Sequence, residues 1–207
     1  MEIQGKKALV FGGTSGIGLA AANQLAARGA IVVALSRNPD KAGAPNPGVS
    51  LKACDVRDAE ALEKLFAAEG PFDILVSAAT GGSRAAGPFL DMAMDAFQAS
   101  FAKLWGYTNV VRFGTRHLTK NGAIVLVSGA PARRGRPGQI ALASVGGAVE
   151  AFARTVASEI APRRINVVSP GTIATPMFGA DDADRQTRLS AMTKANVLPR
   201  AGTPDEA

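Results

Sequence analysis

The sequence predicts an α/β fold, a doubly wound parallel sheet with helices on both faces. Three observations carry that expectation. Short apolar, β-branched runs alternate with longer segments of helical spacing along the chain. The runs are apolar at nearly every position, as strands buried on both faces are. A glycine-rich turn joins the first run to the first helical segment.

Lys7–Phe11 reads as the first strand because its apolar run stops at Gly12-Gly13. Ile17, Leu19, Ala20, Leu25 and Ala26 then recur at helical spacing, and Gly29 closes that helix. Ile31–Leu35 is the second strand, and Asn38–Gly48, rich in Pro, Asn and Gly, is a loop. Val49–Ala53 is the third strand, followed by a helix over Asp58–Glu69 with Asp58 as its N-cap. Asp73–Val76 is the fourth strand and Phe97–Leu118 a long helix. Ile124–Val127, a helix over Ile140–Ile160, and Ile165–Val168 complete the alternation. Asp181–Ala195 is polar enough for a mobile lid helix, within a substrate lid spanning about 176–198. No internal repeat or linker interrupts residues 1–207, which read as one domain.

Composition narrows the function. A chain of 207 residues buries roughly 70% of its unfolded surface and needs no disulfide or metal to fold. With 47% hydrophobic and 19% charged residues it is not a disordered chain. The one cysteine, Cys54, excludes an internal disulfide and fits a reducing cytoplasm, the expected location. His117 is the one histidine, so a Cys/His metal centre is excluded and no metal is expected. Without an apolar run near ~18 residues or a signal-peptide pattern, neither membrane insertion nor secretion is expected. The net charge of +6 is concentrated between Ala99 and Ala180, where ten basic residues face two acidic ones. That stretch has no Lys/Arg run longer than two, and aromatic residues are 5% of the chain. An anionic small molecule or plain surface charge explains it at least as well as a nucleic acid, and no nucleic-acid partner is expected.

The turn Gly12-Gly13-Thr14-Ser15-Gly16-Ile17-Gly18 sits between the first strand and the first helix. A dinucleotide brings a pyrophosphate that needs backbone N–H donors at a helix N-terminus. Glycines permit the tight turn and the close backbone approach. The place of this loop, after the first strand of an alternating chain, makes the signal specific.

From Lys6 to the C-terminus the chain resembles the short-chain dehydrogenase/reductase family, whose fold is Rossmann-like. The GGTSGIG turn matches that family's glycine motif, with Phe11 where a threonine is usual. Cys54-Asp55-Val56 is similar to its segment after the third strand, where an aspartate faces the adenine. Ser77-Ala78-Ala79-Thr80 stands where the family has Asn-Asn-Ala-Gly, and Ser169-Pro170-Gly171 with Thr175-Pro176-Met177 is similar to the stretch bordering the nicotinamide. The resemblance implies cofactor contacts from Gly12, Thr14, Ser15, Gly16, Ile17 and Gly18. It implies others from Asp55 and Val56, from Ala78, Ala79 and Thr80, and from Pro170, Gly171, Ile173 and Thr175. NAD users carry an acid at the end of the second strand for the ribose 2′-hydroxyl. This chain has Ser36-Arg37 there, a hydroxyl and a guanidinium suited to a 2′-phosphate, so NADP(H) is expected over NAD(H).

The family reduces carbonyls with a tyrosine, a lysine one helical turn later, a serine and an asparagine. Aligning Gly147–Phe152 with the family's helix places Leu142 at the tyrosine and Gly146 at the lysine. The serine position falls on Gly129, beside Ser128, and Lys103-Leu104-Trp105-Gly106 puts Lys103 at the asparagine. Ser128 and Lys103 are therefore the catalytic candidates in an atypical member. Tyr107, four residues after Lys103, either recreates a lysine-assisted phenol or packs within its helix. Ser128 either binds a carbonyl or merely ends its strand. Arg133, Arg134 and Arg136 either recognise a carboxylate or phosphate or form a solvated cluster. Gly146-Gly147 inside a helix costs ~1 kcal/mol per glycine, which close packing against another helix or an enlarged cleft would offset. His117 reads as a surface helix residue and Trp105 as a packing residue.

Two functions are compatible with these residues. One is an NADP(H)-dependent oxidoreductase acting on a small carbonyl or alcohol substrate, anionic or neutral, as a homo-dimer or homo-tetramer. The other is a catalytically inactive NADP(H)-binding sensor or interaction protein on the same fold. Leu198–Ala207 resembles the family's segment before its last helix and strand. A C-terminal helix and strand are thus expected to be missing from this sequence, or a partner to cover the sixth strand's edge.

Overall fold

A computed structural model describes residues 2–42, 45–80 and 82–207. Six strands form one parallel sheet: β1 (Lys7–Phe11), β2 (Ile31–Ser36), β3 (Val49–Ala53), β4 (Phe72–Ser77), β5 (Leu118–Val127) and β6 (Arg164–Val168). Their order is β3-β2-β1-β4-β5-β6. The helices are α1 (Gly16–Ala27), α2 (Ala59–Glu69), α3 (Met94–Ser100), α4 (Ala102–Gly114), α5 (Ile140–Ile160) and α6 (Ala183–Thr193).

Period-two alternation sorts the strand side chains onto two faces. Leu9, Phe11, Val33, Leu35, Leu75, Ile124 and Leu126 form one core with side chains of α2, α4 and α5. Ala8, Val10, Val32, Ala34, Ile74 and Val76 form the other with Ala22, Leu25 and Ala26 of α1. Both faces are covered, so the strands are apolar throughout, as the sequence predicted. Connections from β1 run to β2 on one side and β4 flanks β1 on the other, leaving a crevice beyond the strands' C-terminal ends.

Several expectations are corrected. The single helix predicted over Phe97–Leu118 is two helices and the start of a strand. The Phe101 N–H bonds Gln98 O at 3.0 Å, an i→i−3 contact that tightens the backbone and separates α3 from α4. α4 stops at Gly114, where a Cβ would lie 2.9 Å from both Leu75 and Phe66. Leu118 then pairs with Phe72, and the register shifts before Ala123 pairs with Ile74. β5 is therefore longer than the predicted Ile124–Val127. A Cβ at Gly122 would overlap the Leu118 side chain, so this irregular start needs that glycine. His117 is not a surface helix residue: it lies in the turn after α4 and stacks on Phe66 at 6.3 Å. Trp105 is 60% exposed and not a packing residue.

In the predicted Asn38–Gly48 loop, Pro39–Ala42 forms a 3₁₀ turn, and residues 43 and 44 lie outside the described residues. α5 is long and apolar enough to cross a bilayer by length and composition, contrary to the expectation that no segment is. Its Val149 and Ala153 pack into the sheet core. The predicted N-cap is present, with Asp58 Oδ1 accepting from Ala61 N at 3.0 Å.

The larger core is organised around Phe66, fully buried, whose ring lies 5.7 Å from both Phe11 and Phe72. Phe66→Ala should lower stability by about 3–5 kcal/mol, read as a fall in the urea midpoint with an unchanged m-value.

Candidate functional site

The site begins where β1 hands over to α1. A Cβ at Gly12 would lie 2.7 Å from Ala79 N, and one at Gly13 2.6 Å from Val10 O. A Cβ at Gly18 would collide with the Gly12 carbonyl. Gly12 and Gly16 also hold φ of +75° and +51°, a region side chains disfavour. The turn is thus folded tightly on itself, and the first N–H groups of α1 face open space. Ser15, at the N-cap, makes no side-chain cap hydrogen bond, and the first turn of α1 carries no acid. Its positive dipole end is uncompensated by the chain itself.

That helix end opens into a cleft of about 1010 Å³. Every sequence-predicted contact residue lines it. Gly12, Thr14, Ser15, Gly16, Ile17 and Gly18 form its floor, with Ser36, Arg37, Asp55 and Val56 at one end. Ala78, Ala79 and Thr80 lie in the middle, facing Pro170, Gly171, Ile173 and Thr175. Lys103, Ser128, Gly129, Leu142 and Gly146 mark the far end. Met177, Phe178, Met192 and Val197, from the segment expected to form a lid, also line it; the helix there is α6, shorter than predicted and capped by Asp182 Oδ1 accepting from Arg185 N at 2.9 Å.

Two hydroxyls in this wall, Ser36 Oγ and Thr175 Oγ1, are buried and have no hydrogen-bond partner among the described residues. Such groups are costly unless a ligand satisfies them. Together with the glycine cradle they fit a phosphate-bearing dinucleotide. Cys54 contributes no nucleophile, because burial, with Asp55 and Asp58, pushes its thiol up to about 11. Asp55 accepts from Arg57 N at 2.9 Å through Oδ1.

At the far end the candidates meet. Lys103 Nζ lies 3.5 Å from Ser128 O and 5.4 Å from the Tyr107 ring. Burial, with Arg84 close by, lowers its pKa to about 7. The Ser128 hydroxyl donates to Gly146 O at 3.1 Å, so its proton is already committed. Tyr107 is fully buried and donates to Val127 O at 3.0 Å. Burial raises its pKa, and it does not line the cleft, so the lysine-assisted phenol is not formed. A Cβ at Gly146 would lie 2.9 Å from Ser128 Oγ and from Ala132 Cβ, so this glycine packs against the 128–132 turn and not another helix. Gly147 borders open space and nothing in the fold explains it.

The arginine cluster divides. Arg133 Nε donates to both carboxylate oxygens of Glu150 at 3.1 Å and its side chain does not line the cleft, while Arg134 and Arg136 do. Arg136 Nη1 also donates to Met192 O at 3.4 Å, reaching the lid. Sequence reasoning missed two residues. Arg84 lines the far end, where Ala85 N bonds Ser100 Oγ at 2.8 Å and fixes its segment; a basic residue shortly after Thr80 was the available signal. Glu150, buried on α5, accepts from Ser169 Oγ at 2.7 Å and so ties the Pro170-Gly171 segment to α5. An acid on the apolar face of a long helix was its signal. The hydrogen bond from Ser169, then Arg133, holds its carboxyl below the usual range against burial.

Comparisons with known proteins agree with this geometry. A family described as enoyl-(acyl carrier protein) reductase matches residues 12–207. L-xylulose reductase of Bos taurus is 34% identical over 195 residues, 90% of this chain and 79% of that protein. The 3-oxoacyl-[acyl-carrier-protein] reductase MabA of Mycobacterium bovis is 33% identical over 210 residues, 97% of this chain and 81% of that protein. A solved small-chain dehydrogenase in complex with NADPH superposes with a TM-score of 0.79 at 25% identity, over 97% of this chain and 86% of that one. A short chain dehydrogenase/reductase family protein gives 0.83 at 31%, over 100% and 87%.

Glu150→Ala should cost about 1–3 kcal/mol at pH 7, since it strips Ser169 and Arg133 of their acceptor. The lowered carboxyl pKa means that this contribution is present above the unfolded value and is lost as pH falls through the folded one. Urea midpoints of the parent and variant should therefore converge in acid.

Proposed function

Because the chain belongs to the short-chain dehydrogenase/reductase family, we propose that it is an NADP(H)-dependent oxidoreductase interconverting a small carbonyl compound and its alcohol, with Lys103 handling the proton. The observation that carries this reading is one continuous cleft running from Arg37, past the open end of α1, to Lys103 and Ser128.

The N–H groups of Thr14 to Ile17, with the α1 dipole, suit the pyrophosphate. Ser36 Oγ and the exposed Arg37 suit a ribose 2′-phosphate, and no carboxylate stands within salt-bridge distance of Arg37 among the described residues. The relative solved with NADPH supports the same preference. Asp55 suits the adenine, and Thr175 Oγ1 suits a polar group at the nicotinamide end. When bound, NADPH supplies the hydride that a carbonyl carbon accepts. Lys103 Nζ, half-buried in the cleft wall beside Ser128, holds the proton that the carbonyl oxygen takes up. In the alcohol-oxidising direction the neutral amine receives it back. An amine near pH 7 is well matched to that exchange. Leu142 and Gly146 offer neither a hydroxyl nor an amine, and the Ser128 proton is engaged, so Lys103 is the free donor on this wall. The same facts are what a non-catalytic NADP(H) sensor would present, and turnover separates the two.

Fluorescence titration should give NADPH at least tenfold tighter than NADH, with Arg37→Ala bringing the two affinities near equality. Equal affinities in the parent chain would remove the 2′-phosphate argument. Lys103→Met should lower carbonyl reduction by about 10²–10⁴-fold while NADPH binding survives. Reduction requires protonated Lys103, so kcat/KM should be level below a pH of about 7 and fall about tenfold per unit above it. Tight NADPH binding with no turnover on aldehydes, ketones and quinones would establish the sensor.

A further inference from the structure

The charges facing the cleft are unbalanced. Arg37, Arg84, Lys103, Arg134 and Arg136 line it against one carboxylate, Asp55. Asp55 cannot serve the far end. It follows β3 whereas Ser128 follows β5, four strand spacings away in the sheet order, which is roughly 19 Å. Neither Arg84 nor Lys103 has a carboxylate within salt-bridge distance among the described residues, although nearly every other partly buried charge does. Lys6 has Asp73, Lys7 and Lys52 have Glu69, Arg185 has Asp181, and Glu150 has Arg133.

The fold nevertheless brings these two cations together. The Ala85 N–H to Ser100 Oγ bond of 2.8 Å fixes the segment carrying Arg84 against the end of α3. Lys103 stands three residues beyond Ser100, at the start of α4, and is held at 3.5 Å from Ser128 O. Burial disfavours both charges and lowers the pKa of each, and repulsion from Arg84 lowers that of Lys103 further. A fold that tolerates such a pair without an internal anion has a place for an external one. Around it the wall is apolar: Ala86, Leu142, Val145, Met177 and Phe178.

We propose that Arg84, with Lys103 beside it, forms a carboxylate-recognition subsite, so that the substrate is a carbonyl compound with an apolar body and a carboxylate of its own. The guanidinium provides a planar, two-pronged donor matched to a carboxylate. Lys103 then has an anion near it when the carbonyl oxygen arrives, which favours its protonated form in the ternary complex. The proposal rests on the oxidoreductase reading for the carbonyl, but the anion subsite can be tested without turnover.

Calorimetric titration of the full chain with benzoate, benzamide and phenyl phosphate, with and without saturating NADPH, makes that test. Benzoate should bind at one site per chain, at least tenfold tighter than the isosteric benzamide and tighter than phenyl phosphate. Arg84→Met should weaken benzoate at least tenfold while leaving benzamide and NADPH unchanged, and Arg84→Lys should recover part of the loss. Unaltered NADPH affinity shows that the variant is folded. Failure of benzoate to bind, equal binding of benzoate and benzamide, preference for phenyl phosphate, or benzoate affinity indifferent to Arg84→Met would each overturn the proposal. A loss of NADPH affinity in Arg84→Met alongside that of benzoate would assign Arg84 to the cofactor and overturn it too. Reduction of 4-carboxybenzaldehyde by NADPH reports separately on the oxidoreductase reading. Benzoate binding that depends on Arg84 without NADPH oxidation would leave the subsite standing and the redox assignment fallen.

Discussion

The rest of the site depends on one close approach, that of residue 18 to the carbonyl of residue 12. A side chain at Gly18 would enter the Gly12 carbonyl, and one at Gly12 would enter the backbone of Ala78-Ala79. With both bare, α1 can start directly under the C-terminal end of β1 and beside β4. That places a helix N-terminus at the point where the sheet order turns from β1-β2 to β4-β5. Thr175 completes the enclosure, its side chain 3.2 Å from where a Cβ on Gly16 would stand. The unpartnered hydroxyls, the uncapped helix end and the cleft are consequences of this packing. They leave a set of donors with nothing among the described residues to receive them.

The two ends of the cleft are supported differently. At the glycine end, backbone geometry fixes the donors and side chains matter little. At the Lys103 end, side chains from α4, α5 and the turn after β5 converge, and most of them are committed to the fold. Tyr107 gives its hydroxyl to Val127, Ser128 gives its proton to Gly146, and Glu150 secures the Ser169-Pro170-Gly171 segment. Lys103 is the exception, with one long contact to Ser128 O and donors to spare. A half-buried ammonium held this loosely adds little to the stability of the fold.

The strands were legible because burial on both faces writes continuous apolar runs, and β1, β3 and α5 begin and end where the sequence places them. The glycine turn, and the set of residues that line the cleft around it, were legible for a related reason, since backbone donors need a fixed spacing and few side chains. What the sequence hid was decided by tertiary partners. Nothing local distinguishes Phe101 from the helical residues around it, and β5 lengthened because Leu118 found Phe72. Arg133, Arg134 and Arg136 look alike as a run, yet Glu150, fourteen or more residues away, takes one and leaves two. Arg84 carried no periodicity to mark it, and a tertiary hydrogen bond, from Ala85 N to Ser100 Oγ, fixes its segment near the start of α4.

Packing also makes the unusual far end hard to reverse. At positions 142 and 146 the family resemblance would place a tyrosine and a lysine, and both positions do face the cleft. Position 146, however, has been closed by the chain around it. Ser128 Oγ and Ala132 Cβ stand 2.9 Å from where its Cβ would be, and the serine hydroxyl bonds the Gly146 carbonyl. A lysine there would displace the 128–132 turn, and with it Arg133 from Glu150 and the support of Ser169. Gly129, by contrast, has only an ordinary 3.5 Å contact with Pro131, so a serine would fit there. The familiar groups are therefore not restored by two substitutions; the turn would have to move first. This constraint leaves Lys103 and Arg84 as the cations that stand at this end of the cleft.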